Sequence, residues 1–236
     1  MALSAAIGVL TALFRRFLMA SSSPAPADFG RVARVYDGLA QVVFGQAQRR
    51  AQLAALHAGL PLVGPAPRVL VLGGGSGWVL TELLGRCPAA QVLYLETSAA
   101  MLNLAQARLR QLAPGAAAQV EFRRGSERAL APGERFDVVV TFFVLDCFTL
   151  ADFPAALARL NAARRPGALW LVADFRPPRT WWQRGLLRAM YLFFGVAVGL
   201  RARQLPLWPD GLASLGLAVV YESSYYGNFI LSQALK

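Results

Sequence analysis

The run Arg68-Val-Leu-Val-Leu-Gly-Gly-Gly-Ser-Gly77 leaves a chain few ways to fold. Val69 to Leu72 are branched apolar residues that read as a short buried strand, and the glycine-rich stretch after them is poor core material. A buried strand that enters a glycine turn and then a helix brings backbone N–H groups close to a ligand. An acid about 20 residues further on can take ribose hydroxyls, and Glu96 closes the next apolar run at that distance. The pattern describes a nucleoside site. A dinucleotide fingerprint wants glycine at its first, third and sixth places. Counted from Gly73 and Gly75, the sixth place is Trp78, too large for close strand-to-helix packing, and the glycine falls one place early at Gly77. This disfavours an NAD(P)-dependent oxidoreductase.

Apolar strands alternate with amphipathic helices along the rest of the chain, which predicts a parallel, doubly wound sheet. Expected strands are Gln91 to Leu95, Gln119 to Arg123, Phe136 to Thr141 and Leu169 to Phe175. A helix starts at Ser98 with Leu102, Ala105, Leu109 and Leu112 as its buried stripe, and another crosses Phe153 to Ala163. Asp28 to about Leu60 is helical in pattern, with Val32, Val35, Leu39, Val42 and Val43 on one side, and reads as a cap ended by Pro65-Ala-Pro67. Trp181 to Leu200 reads as an aromatic helix. Ala218 to Tyr225 and Phe229 to Ala234, joined through Gly227-Asn228, read as a hairpin. The organisation is therefore an apolar segment and linker (1–27), a helical cap (28–65) and a ligand-binding α/β domain (66–236).

Composition excludes several classes. The chain of 236 residues is 56% hydrophobic and 16% charged, which supports one sizeable core. Its net charge of +11 suggests an anionic partner, but the charge is almost all arginine in scattered pairs, without the clustered basic and aromatic face that nucleic acid needs. Cys87 and Cys147 have no metal-type spacing and His57 is the only histidine, so a zinc site and a Ser-His-Asp triad are excluded and no metal is expected. Two lone thiols fit a reducing cytoplasm. Ala2 to Phe14 is uncharged but too short to span a bilayer, and Arg15-Arg16 follows it, where a signal peptide carries its charge first. A peripheral membrane contact through residues 1–20 stays open beside a packed helix and a dispensable extension.

Gly73-x-Gly75-x-Gly77 at a strand end, then Glu96, resembles the first two motifs of the class I S-adenosylmethionine-dependent methyltransferases. The likeness extends through Val35-Tyr36-Asp37-Gly38, Glu96-Thr-Ser-Ala-Ala-Met101, Phe136-Asp-Val-Val-Val140 and Arg165-Pro-Gly-Ala168, and is nearest to the small-molecule branch that resembles the ubiquinone/menaquinone C-methyltransferases. The resemblance implies a Rossmann-like doubly wound seven-stranded sheet whose last strand is antiparallel. It also implies S-adenosylmethionine as cofactor, and methyl transfer to a small, apolar acceptor. It assigns Tyr36, Gly73, Gly74, Gly75, Ser76, Gly77, Glu96, Thr97, Ser126, Glu127, Thr141 and Phe142 to cofactor binding.

The chain also departs from that pattern. Val71 stands where the family has an acid two residues before the first glycine, and Ser126-Glu127 stands where it often has an aspartate near the adenine. The Asn-Pro-Pro-aromatic signature of many amine and nucleic-acid methyltransferases is replaced by Thr141-Phe-Phe-Val144, which argues against base methylation. In the segment Thr141 to Phe148, Asp146 is the one carboxyl group. It is a candidate base, with helix capping or arginine pairing as its structural alternative. Two further readings remain: an aminopropyl transferase, which Thr141 in place of an aspartate disfavours, and a cofactor-binding protein without turnover, which Val71 favours.

Overall fold

A computed structural model describes residues 44–236; the segment 1–27, Tyr36 and the first part of the expected cap lie outside the described residues. The chain order is α1 (Ala47–Gly59), β1 (Arg68–Leu72), α2 (Trp78–Arg86), β2 (Gln91–Glu96), α3 (Ala99–Leu112), β3 (Val120–Arg124), β4 (Phe136–Phe142), α4 (Phe153–Ala162), β5 (Arg164–Phe175), α5 (Trp181–Val198), α6 (Trp208–Ala213), β6 (Val219–Tyr225) and β7 (Ile230–Leu235).

The seven strands form one sheet in the order β3-β2-β1-β4-β5-β7-β6. β1 pairs in parallel with both β2 and β4, so the crossovers leave it on opposite sides and a crevice opens at its carboxyl end. β7 slots between β5 and β6 and is antiparallel to both, as expected for the last strand. Its reversal is made by Tyr226, Gly227 and Asn228, three consecutive residues with positive φ, which return the chain in the space of a tight turn.

Side-chain alternation divides the core into two layers. Val69, Val71, Val138 and Val140 face α1, α2, α3 and α5, while Leu70, Leu72, Val139 and Val172 face α4 and α6. The central parallel strands β1 and β4 are apolar on both faces because helices cover both, whereas β3 at the edge carries Glu121 and Arg123.

Three details differ from the sequence expectations. β5 begins at Arg164 because Phe136 pairs with Arg164 and Val138 with Leu169, so the intervening Pro-Gly residues bulge out of the ladder. Leu112, expected on the buried stripe of α3, is 64% exposed; it is the last residue of the helix, where the chain leaves the layer. The short helix α6 has no counterpart among those expectations, and it buries Trp208, whose indole N–H donates to the Phe175 carbonyl. Among the described residues, no helix is long and apolar enough to cross a membrane.

Candidate functional site

The glycine turn after β1 is built mainly by the main chain. Gly73 N–H donates to the Leu95 carbonyl at 2.8 Å, which ties the turn to β2. Gly75, at φ 62°, directs its N–H to Glu96 Oε2 at 3.1 Å. A Cβ atom added to Gly75 would meet nothing within 4 Å, so the outer face of the turn is open to a ligand. Gly77 has a different role. It starts α2 at φ 83°, and a Cβ there would sit 2.7 Å from the Ala105 Cα, so this glycine lets α2 and α3 approach. Beneath the turn lies Tyr94, whose hydroxyl donates to the Gly75 carbonyl at 2.9 Å.

Glu96 performs two jobs at once. Besides Gly75, its carboxylate accepts from Ser98 N–H at 2.9 Å and from the Thr97 hydroxyl at 3.3 Å, so it also anchors the start of α3. It is 8% exposed, and Gly75 N–H joins it to the glycine turn that lines the crevice. Val71, where the family's acid would stand, is buried in the crevice wall beside Phe142.

Opposite the turn, the chain leaving β4 makes the second wall. Phe143 takes φ 52°, and the next residue, Val144, lies over Gly73 so closely that a Cβ there would approach it to 2.6 Å. This loop is held from β5. Asp174, fully buried, accepts N–H bonds from Val144, Leu145 and Asp146 at 3.2, 2.9 and 3.4 Å, and from Phe175 at 2.7 Å. Burial, reinforced by the neighbouring Asp146, pushes the Asp174 carboxyl well above the usual carboxylate range.

Asp146 sits in the short 3-10 turn Leu145–Cys147, with Cys147 Sγ–H donating to its Oδ1 at 3.4 Å. Burial raises its carboxyl to about 6, against the opposing pull of that thiol and of its own backbone N–H. From α5, the Tyr191 hydroxyl donates to the Asp146 carbonyl at 3.1 Å. A buried acid with a raised carboxyl thus stands just past the end of β4, beyond the residues that line the crevice.

Not every expected residue joins it. Gly73, Gly74, Gly75, Ser76 and Phe142 line one crevice. Ser126 caps a 3-10 turn at the end of β3, accepting from Arg128 N–H, next to Gly125, whose N–H bonds the Glu96 carbonyl. Thr141 turns to the other layer, where its hydroxyl accepts from Trp170 Nε1 at 2.8 Å, because it follows Val140 on an alternating strand. Glu127 is likewise directed elsewhere; its Oε1 faces Arg128 and Arg159 at 3.6 and 3.5 Å.

Sequence reasoning missed Tyr94, Asp174 and Arg49. Arg49 stacks 5.2 Å over the Trp78 ring at the crevice mouth. The signals were a lone tyrosine in an aliphatic strand, an acid at the end of a buried strand, and Gln48, Arg49 and Gln52 on one face of α1. A larger groove, of about 1310 Å³, opens at the opposite edge of the sheet between Leu60, Cys87 and Leu112 and holds none of these groups.

Residues 70–170 match the family described as a methyltransferase domain. No curated protein matches the chain. Among solved structures, an O-methyltransferase family 2 protein from Planctomyces limnophilus, in complex with apigenin, is 17% identical with TM-score 0.65, over 92% of this chain and 63% of that one. An O-methyltransferase from neocarzinostatin biosynthesis, in complex with S-adenosyl-L-homocysteine and 1,4-dihydroxy-2-naphthoic acid, is 19% identical with TM-score 0.62, over 88% and 58%. An N-methyltransferase from Bradyrhizobium japonicum, in complex with S-adenosyl-L-homocysteine, is 15% identical with TM-score 0.57, over 79% and 85%. The chain therefore spans less than two thirds of the first two, and all three share its fold.

Proposed function

We propose that this chain is a class I methyltransferase that takes S-adenosylmethionine as its methyl donor and methylates a hydroxyl on a small, apolar, aromatic acceptor. The observation that carries the reading is the pairing of an open glycine turn, latched by Glu96 through Gly75 N–H, with the buried Asp146 beyond Val144. The residues present fit the cofactor. The turn Gly73 to Ser76 and the Glu96 carboxylate would hold its nucleoside, and Arg49 and Arg108, both at the crevice, offer cations to the carboxylate of its methionyl end. Val71 means that no side-chain acid at that position meets the amino group.

The cofactor brings an activated methyl on a sulfonium, so the protein has mainly to position, dry and deprotonate. Phe142 and Phe143 supply apolar wall at the crevice, and a hydroxyl acceptor needs one proton removed. Asp146 suits that step, because a carboxyl near 6 is ionised at neutral pH and still basic enough to accept the proton as the oxygen–methyl bond forms. The proton would end on Asp146, and S-adenosylmethionine, when bound, would supply the methyl and be left as a neutral thioether.

Oxygen is favoured over carbon, the atom implied by the ubiquinone/menaquinone branch, because two of the neighbours described are O-methyltransferases whose bound molecules, apigenin and 1,4-dihydroxy-2-naphthoic acid, are hydroxylated aromatics. The test is isothermal titration with S-adenosylhomocysteine, followed by transfer of a labelled methyl to a panel of flavonoid and naphthol acceptors and their O-blocked analogues. Label on the free hydroxyls and none on the blocked analogues is expected. Binding without transfer to any acceptor would leave a cofactor-binding protein; label on the blocked analogues would make carbon the acceptor.

A further inference from the structure

The helix α5 has a second face whose chemistry the site does not use. Its inner side buries Gln183, Leu186, Leu187, Met190 and Phe193. Its outer side carries Trp181, Arg184, Arg188, Leu192 and Val196, which at about 3.6 residues per turn fall within roughly 120° of the helix surface. Trp181 is 69% exposed, Leu192 61% and Val196 47%, an unusual concentration of large apolar groups on one water-facing stripe.

Charge decides what can cover it. From Phe175 to Pro209 the sequence has no acid and six arginines, Arg176, Arg179, Arg184, Arg188, Arg201 and Arg203. Among the described residues Arg184 and Arg188 form no ion pair. A second copy docked face to face would bring arginine against arginine, at a repulsive cost. A stripe of tryptophan and aliphatic groups flanked by unpaired arginines matches a bilayer interface, where apolar groups enter below the headgroups and arginines meet lipid phosphates. With no helix long and apolar enough to cross a membrane among the described residues, α5 would lie on the surface and not through it.

We propose that the outer face of α5 docks the protein on an anionic lipid bilayer, with Trp181, Leu192 and Val196 inserted and Arg184 and Arg188 on the headgroups. Tyr191 on the same helix reaches Asp146, so docking places the acceptor side of the site next to the membrane. The docking itself does not depend on methyl transfer. Full-length protein is sedimented with vesicles of phosphatidylcholine alone or mixed with phosphatidylglycerol, and its tryptophan emission is followed with brominated lipid.

Partition at least roughly tenfold stronger to the anionic vesicles is expected, falling about tenfold in R184Q/R188Q. Bromine quenching should decrease in Trp181→Phe, and L192S/V196S should weaken partition with S-adenosylhomocysteine affinity unchanged. Equal partition to both vesicle types, partition unaltered in R184Q/R188Q and L192S/V196S, equal capture by duplex DNA at the same salt, or a solution dimer that Leu192→Ser dissociates would each overturn the proposal. Since all variants keep residues 1–20, binding that belongs to the amino-terminal segment would appear as unaltered partition.

Discussion

The two walls of the crevice solve the same problem by opposite means. The turn after β1 is local: glycines reach positive φ, the main chain supplies the donors, and Glu96 from the adjacent strand closes it. The loop after β4 is held from a distance, by the Asp174 carboxylate collecting N–H groups from residues about 30 positions earlier in the chain. A wall made of backbone tolerates changes in other side chains but not in its glycines. A wall hung on one buried carboxylate depends on that group. The difference predicts that binding and turnover separate by mutation.

The largest effect is expected at Gly77. Valine there would need a strained positive φ and would collide with Ala105, so Gly77→Val should cost about 4 kcal/mol of stability and abolish cofactor binding, as measured by denaturant unfolding and titration calorimetry. Retained binding would mean that α2 and α3 can move apart, and the local wall would be softer than described. Asp174→Ala tests the other wall. It orphans several buried N–H groups and should cost about 3 kcal/mol, while Asp174→Asn, which keeps an acceptor, should cost less. In Asp174→Asn, kcat should fall with the S-adenosylhomocysteine Kd nearly unchanged; a parallel loss of affinity would erase the contrast between the walls.

Asp146→Asn should lower kcat about a hundredfold. In the parent protein kcat/KM should rise with pH through about 6 and then level, because the ionised carboxylate is the active form; the variant should show no such rise. Stability carries the opposite sign. Burial raises the folded carboxyl above its unfolded value of about 3.9, so its contribution is full below that value and is lost as pH rises through about 6. The stability of the variant relative to the parent should therefore grow across that window in thermal melts. The smallest effect belongs to Glu96→Gln, which retains an acceptor for Gly75 N–H but loses charge; about a tenfold weaker cofactor affinity is expected, with kcat at saturation little changed.

The same contrast explains what was legible. Strand positions and the glycine turn follow from neighbours in sequence, through period-two alternation and the freedom of glycine. Thr141 shows where such reading stops. It lies at the expected end of β4, yet its hydroxyl belongs to Trp170 in the other layer, a partner that alternation could have indicated but proximity in sequence obscured. Leu112 fails likewise, because a helix stripe says which side faces the sheet but not where the helix overruns it.

By itself, then, the sequence determined the layered α/β fold and the glycine turn at the end of β1, because both rest on local backbone preference and periodic burial. Only the tertiary structure decided that Asp174 holds the second wall, that Tyr94 props the first, that Glu127 turns to Arg159, and that α5 leaves a basic and apolar stripe uncovered among the described residues. Each of these depends on which distant segment fills a given space, and the chain's local chemistry carries no record of that.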